Sequence, residues 1–254
     1  MNRIFYNLAR VWRTLRFGVL AGLAAGFFGA GCHLPLMPNE VRDLGPRYHP
    51  SNFYRRADVL PPQIRRVAVL PLSTKTPTAF LVSGVETLEP VLYAELEKSK
   101  RFEVIQVTPD DMRQLTGKKE WCADDVLPQD FFKRIAIATG ADAVLFSQLT
   151  RCYPYQPLAV GWKFCLISNP APTTGPVAVP DTKDQILWAA DEVIDAGEPG
   201  VANAARDYYG EHLLNEAPSA EATTILTSPA RFGQYTLAAL LTTMPERFGT
   251  INKR

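Results

Sequence analysis

The sequence predicts an α/β fold: a single mixed β-sheet of about five strands flanked by helices. Three observations carry this reading. First, Ala143 to Leu149 is a nearly continuous Val/Leu/Phe run, which reads as a strand covered on both faces. Second, the apolar helical run Phe131 to Ala138 ends at Gly140, a residue that tolerates the left-handed turn closing a helix. Third, strands and helices alternate before this junction and the pattern turns antiparallel after it, the order of a mixed sheet covered by helices.

Taken in order, Arg65 to Leu72 (Arg-Arg-Val-Ala-Val-Leu-Pro-Leu) predicts a short strand stopped by Pro71. Ser73 to Ser83 reads as a polar loop. Val85, Leu88, Val91, Leu92 and Leu96 then recur at helical spacing. Pro90 fits a helix only near its first turn, so the predicted helix begins at about Leu88. Arg101 to Val107 is the next strand, and Asp110-Asp111 opens a short helix to Leu115. Gly117 to Asp125 is a polar loop, and Pro128 starts the helix leading into the central strand. Arg151 to Leu158, rich in Pro and Tyr, reads as a turn. Gly161 to Ile167 returns as a strand with Trp162, Phe164 and Leu166 on one face and Lys163, Cys165 and Ile167 on the other. Five Pro/Gly breakers make Ser168 to Asp184 a long irregular loop. Gln185 to Val193 is the next strand and Pro199 opens a helix. Ser228-Pro229 is an N-cap and N1 pair for a last helix burying Tyr235, Leu237, Leu240, Leu241 and Met244.

The charge balance divides the chain. Among 27 basic and 26 acidic residues, Arg3, Arg10, Arg13 and Arg16 lie in the first 31 positions, which hold no acid. The rest carries a net charge of −3. A mildly acidic body argues against nucleic acid as a partner. The leader has a basic start, an uncharged apolar stretch from Phe17 to Phe28, and small residues Gly29-Ala30-Gly31 before Cys32, the layout of a secretory signal. The apolar stretch is shorter than the about 20 residues that span a bilayer. Small residues abutting a cysteine resemble the bacterial lipobox, which implies a diacylglyceryl and palmitate modification of Cys32. A simple signal peptide and an uncleaved anchor remain alternatives. His33 after that cysteine leans towards the outer membrane. The expected organisation is a lipoprotein signal over 1–31, a Pro-rich tether over 32–62, the α/β domain over 63–246 and a tail over 247–254. Prolines fix φ and keep the tether extended.

Candidate chemistry is sparse. Cys122, Cys152 and Cys165 lack zinc or redox spacing. A disulfide between Cys152 and Cys165 is expected if the hairpin turns near Gln156 to Ala159, with Cys122–Cys152 as the competitor. His33, His49 and His212 are scattered, so no triad is supported. Asp191, Glu192, Asp195 and Glu198 form an acidic cluster that a metal-dependent enzyme would use, although strand ends and helix starts ordinarily carry acids, and the same holds for Asp110-Asp111 and Asp124-Asp125. No metal, cofactor or catalytic residue is expected beyond the lipid on Cys32. Exposed aromatics on a stiff turn are common interface anchors, which makes Tyr153, Tyr155, Leu158 and Trp162 the candidate partner-binding residues.

Val67-Ala-Val-Leu-Pro-Leu72, Arg101-Phe-Glu-Val-Ile105 and Thr139-Gly-Ala-Asp-Ala-Val144 together resemble a pattern of known envelope proteins. These are the CsgG-like secretion proteins, the penicillin-binding-protein activators (LpoB-like) and the TolB N-terminal domain. The resemblance covers roughly Ile64 to Val193. It implies a compact α/β domain on an envelope lipoprotein that binds or assembles other envelope proteins and carries no catalytic residues. It also leaves open a homo-oligomeric subunit of an export complex. The expected place is the bacterial cell envelope, lipid-anchored and facing the periplasm.

Overall fold

The computed structural model describes residues 48–169, 185–213 and 222–247. In chain order the elements are β1 (Phe53–Arg55), β2 (Arg66–Val69), α1 (Ala79–Ser99), β3 (Glu103–Gln106), α2 (Pro109–Thr116), α3 (Phe131–Thr139), β4 (Ala143–Tyr153), β5 (Ala159–Ser168), β6 (Ile186–Asp195), α4 (Pro199–Tyr208) and α5 (Pro229–Leu241). The strands form one mixed sheet in the order β1-β6-β5-β4-β2-β3. β3, β2 and β4 are parallel, while β4, β5, β6 and β1 pair antiparallel.

The αβ junction before β4 holds the parallel half together. Gly140 adopts φ 66° and its N–H donates to Ala136 O at 2.8 Å, closing α3. Two residues later Asp142 Oδ2 accepts the backbone N–H groups of Arg65 (2.8 Å) and Arg66 (2.9 Å), seating β2 beside β4. Val67, Ala68 and Val69 are buried on both faces, as a short apolar run between two parallel neighbours requires. At the next junction, Thr108 and Asp111 form a capping box that starts α2.

Each face of the sheet has its own core. One face carries Val67, Leu145, Leu149, Trp162, Phe164, Leu166, Trp188 and Ile194, packed against Leu88, Leu92 and Leu96 of α1 and Phe232, Leu237 and Leu240 of α5. The opposite face carries Ala68, Val144, Phe146, Cys165 and Ile167, covered by Met112 of α2, Trp121, and Phe131 and Ile135 of α3. The alternation expected along β5 is therefore present.

The expected single mixed sheet is present, with six strands among the described residues, because Phe53–Arg55, inside the segment read as tether, pairs with Ala190–Trp188 of β6. Other details differ from the sequence reading. Leu60 is buried and Val59 bridges Glu246, so residues 48–62 belong to the domain rather than to a tether ending at 62. Helix α1 begins at Ala79 rather than Leu88 and holds Pro90 in its interior. Thr78 caps it, Oγ1 accepting the Leu81 N–H at 3.3 Å. β4 runs on to Tyr153 through a bulge between Leu149 and Arg151, so part of the expected turn is strand. The leader, Cys32, most of the loop Ser168–Asp184 and nearly all of the tail lie outside the described residues. Among the described residues, no helix is long and apolar enough to cross a membrane.

Candidate functional site

The cysteines lie apart in the sheet. Cys152 sits opposite Val160 in the core under α1, while Cys165 sits opposite Phe146 in the core under α3. The expected Cys152–Cys165 disulfide is thus corrected: the hairpin places the two thiols on opposite faces, and all three described cysteines are free and buried. Cys122 Sγ lies 3.4 Å from Ser73 Oγ rather than against Cys152. Burial pushes the Cys165 thiol up to about 11 and also raises Cys152. Such thiols are poor nucleophiles.

The acidic cluster diverges. Glu192 points to the helix-rich face, where its carboxylate accepts the Tyr48 hydroxyl and the Asn52 N–H, both at 2.8 Å. Asp191 points to the other face, 3.9 Å from Lys163 Nζ. Asp195 Oδ1 accepts the Gly197 N–H at 2.8 Å, and Glu198 is the N-cap position of α4. The described residues contain no group of His, Cys, Asp or Glu placed to hold a metal ion. The metal-enzyme reading of Asp191–Glu198 falls with that divergence. Of the histidines, His49 is exposed, and the His212 ring stacks on Tyr208 at 4.5 Å.

Among the hairpin residues the structure makes a division. Leu158 and Trp162 are buried, so neither is a contact residue. Trp162 faces the α5 core because the register puts it opposite Leu149. Tyr153 and Tyr155 are 43% and 60% exposed. They meet a third ring, Phe80 at the start of α1, which is 45% exposed. The three centroids lie 5.8–6.4 Å apart in edge-to-face contacts. The sequence reading places residues 73–83 in a loop and so leaves Phe80 out. Thr78 as a cap before an apolar pair was the signal that could have placed it on a helix.

A second surface is the far half of the α2/α3 face. Those two helices cover β2 and the first half of β4, whereas α4 and α5 pack on the opposite face. The outer half therefore presents Thr150, Arg151, Lys163, Asp191, Val193 and Tyr54. Val193 and Tyr54 are 46% and 52% exposed, and their register partners are the small residues Gly161 and Ala189. The bulge shapes this surface: Thr150 and Arg151 share one partner position, Gly161. A Cβ at Gly161 would lie 2.5 Å from Thr150 Oγ1 and 2.9 Å from Arg151 Cβ, so only glycine lets the two residues crowd there. Lys163 Nζ bonds Asp124 Oδ2 at 2.6 Å, a contact that raises the lysine's pKa and fixes its position at the rim.

No family model and no curated protein matches the chain. Among solved structures, it is similar to the PelC dodecamer from Paraburkholderia phytofirmans at 13% identity, covering 77% of this chain and 99% of that one, with a TM-score of 0.37. It is also similar to lipoprotein GNA1162 from Neisseria meningitidis (14% identity, 61% and 97% covered, TM-score 0.35). A third similarity is to the LpoB C-terminal domain from Salmonella enterica (16% identity, 52% and 82% covered, TM-score 0.29). TM-scores this low assign no family, and the α/β architecture stands on the sheet order above.

Proposed function

We propose that this chain is an envelope lipoprotein, held by a diacylglyceryl group on Cys32 and facing the periplasm from the outer membrane, whose domain is a non-catalytic protein-binding or assembly module. The lipid anchor is read from the leader. The observation that carries the binding role is the half-covered sheet. A scaffold that covers one face fully and leaves Thr150, Arg151, Asp191 and Val193 open on the other offers a rigid, mixed-charge surface with an apolar centre. Such a surface excludes water at its middle and sets register at its charged rim.

The test is photo-crosslinking from Val193, substituted by a benzoyl-phenylalanine, in intact cells. Ile137, 76% exposed on α3, is the control position. A discrete adduct from position 193 and none from 137 is expected. An adduct of twice the chain's mass identifies a second copy as the partner, the form that a subunit of an export assembly takes. Equal, diffuse labelling from both positions contradicts the assignment.

A further inference from the structure

The ring cluster at the tip of the β4–β5 hairpin lies at a particular end of the molecule. Glu192, which receives the Tyr48 hydroxyl at 2.8 Å, is three residues from Asp195, and Asp195 is in register with Ala159 and through it with Tyr153. Three strand residues span about 10 Å, so the described chain starts beside the hairpin end of the sheet. From there it runs away from that end: Phe53 pairs with Ala190, Arg55 with Trp188, and Val59 bridges Glu246. Only residues 33–47 separate Cys32 from Tyr48. Fully extended, that stretch reaches at most roughly 55 Å. A lipid on Cys32 is therefore tied to the domain at the hairpin end of the sheet.

We infer that this end is a bilayer contact, with Phe80, Tyr153 and Tyr155 resting in the headgroup region of the phospholipid surface that carries the anchor. The inference rests on the lipoprotein reading above. The chemistry of the tip fits a phospholipid boundary. Tyrosine pairs an apolar ring with a hydroxyl and is enriched where one end of a side chain is dry and the other wet. Phe80 supplies a fully apolar ring between the two tyrosines, and the mutual edge-to-face contacts hold all three without further ordering. Arg151, exposed two residues before Tyr153 and in no ion pair among the described residues, is placed for a lipid phosphate. Asp195, the acid in register beside the tip, already accepts the Gly197 N–H, and Glu198 stands at the start of α4. The attraction is consequently carried by the rings and is only weakly sensitive to salt. A lipid anchor with a small surface contact gives firmer attachment than either alone. Contact at the tip would also stand the sheet upright, so that its open face looks sideways along the membrane.

The experiment uses the full chain reconstituted in phosphatidylethanolamine/phosphatidylglycerol vesicles. Tyr155→Cys and Ile137→Cys are each labelled with an environment-sensitive nitrobenzoxadiazole dye, the native described cysteines being buried. Ile137 lies near the end of α3, which feeds the opposite end of β4. The expected result is flotation with vesicles, a blue-shifted emission at position 155, and loss of most of that emission when doxyl-labelled lipid is included, with no change at 137. Flotation with a water-like, unquenched dye at 155 overturns the tip contact and leaves the lipoprotein reading standing. A blue shift that depends on protein concentration but not on doxyl lipid also overturns it, and assigns the rings to a second copy. Failure to float removes both.

Discussion

Two indole N–H groups pin the last helix and the turn that follows it to the sheet. Trp162 Nε1 donates to Thr236 Oγ1 at 2.9 Å, and Trp188 Nε1 donates to Thr243 Oγ1 at 3.0 Å. Between them Phe164 stacks on both indoles at 5.6 Å. Thr236→Val keeps the volume but leaves a buried N–H unpaired, a loss of about 1–3 kcal/mol; Thr236→Ser should retain most of the stability. Urea unfolding of both variants checks this, and equal loss in the two would argue that packing alone matters. Alternation along β5 showed in the sequence that Trp162, Phe164 and Leu166 share a face. It does not show which face meets water, because that depends on where α5 docks, and alternation alone leaves the indole a candidate contact residue. A second residue-scale prediction concerns Cys165, whose thiol burial raises from 9.0 to about 11. The folded state keeps this proton after the unfolded chain has lost it, so the stabilisation is full below pH 9. It falls between about 9 and 11, by an amount on the order of 2 kcal/mol. Burial raises Tyr48, Tyr93 and Tyr235 as well, and their contribution is lost from about pH 10 upward. Melting curves should therefore begin to fall near pH 9, and Cys165→Ala should make the fall between 9 and 11 shallower without abolishing it, because burial also raises Cys152.

At the scale of elements, α1 and β4 are built for each other. A Cβ on Gly84 would lie 2.7 Å from Cys152 Sγ and 2.9 Å from Leu149 Cδ2, so the glycine sets how closely the helix approaches the strand. Gly84→Ala should cost about 1–3 kcal/mol by overpacking, against the gain in helix propensity. Adding Cys152→Ala should restore part of it, read as a shift in the denaturation midpoint. This close approach also explains why the helix start was misplaced in the sequence. An interior proline costs about 3 kcal/mol or more, which made Pro90 look like a first-turn residue. Packing of the turns before it on β4, together with Leu88, Leu92 and Leu96 in the core, offsets that cost. Tertiary burial overrode a local rule. The junction at Gly140 and Asp142 was legible because its signals are local: a left-handed glycine, then a carboxylate followed by a buried run. β1 was illegible for the opposite reason. Phe53-Tyr54-Arg55 has no apolar period of its own and becomes a strand only by pairing with β6.

For the molecule as a whole, the sequence order made the mixed sheet and its antiparallel second half legible. It could not show that the helices divide unequally between the two faces. Among the described residues that division leaves half of one face open, and the open half is the surface assigned to a partner. The candidate site was correspondingly less legible than the fold: Tyr153 and Tyr155 emerged from composition, while Val193 and Phe80 needed the tertiary arrangement. Crosslinking from Val193 tests the partner surface, and dye position tests the tip. Both presuppose an anchor at Cys32. The most direct measurement is mass spectrometry of the mature N-terminus from membranes, run beside a Cys32→Ser variant. The account predicts a chain starting at diacylglyceryl-Cys32, with that species lost in the variant. An intact Met1, or a start at any other residue, would contradict it.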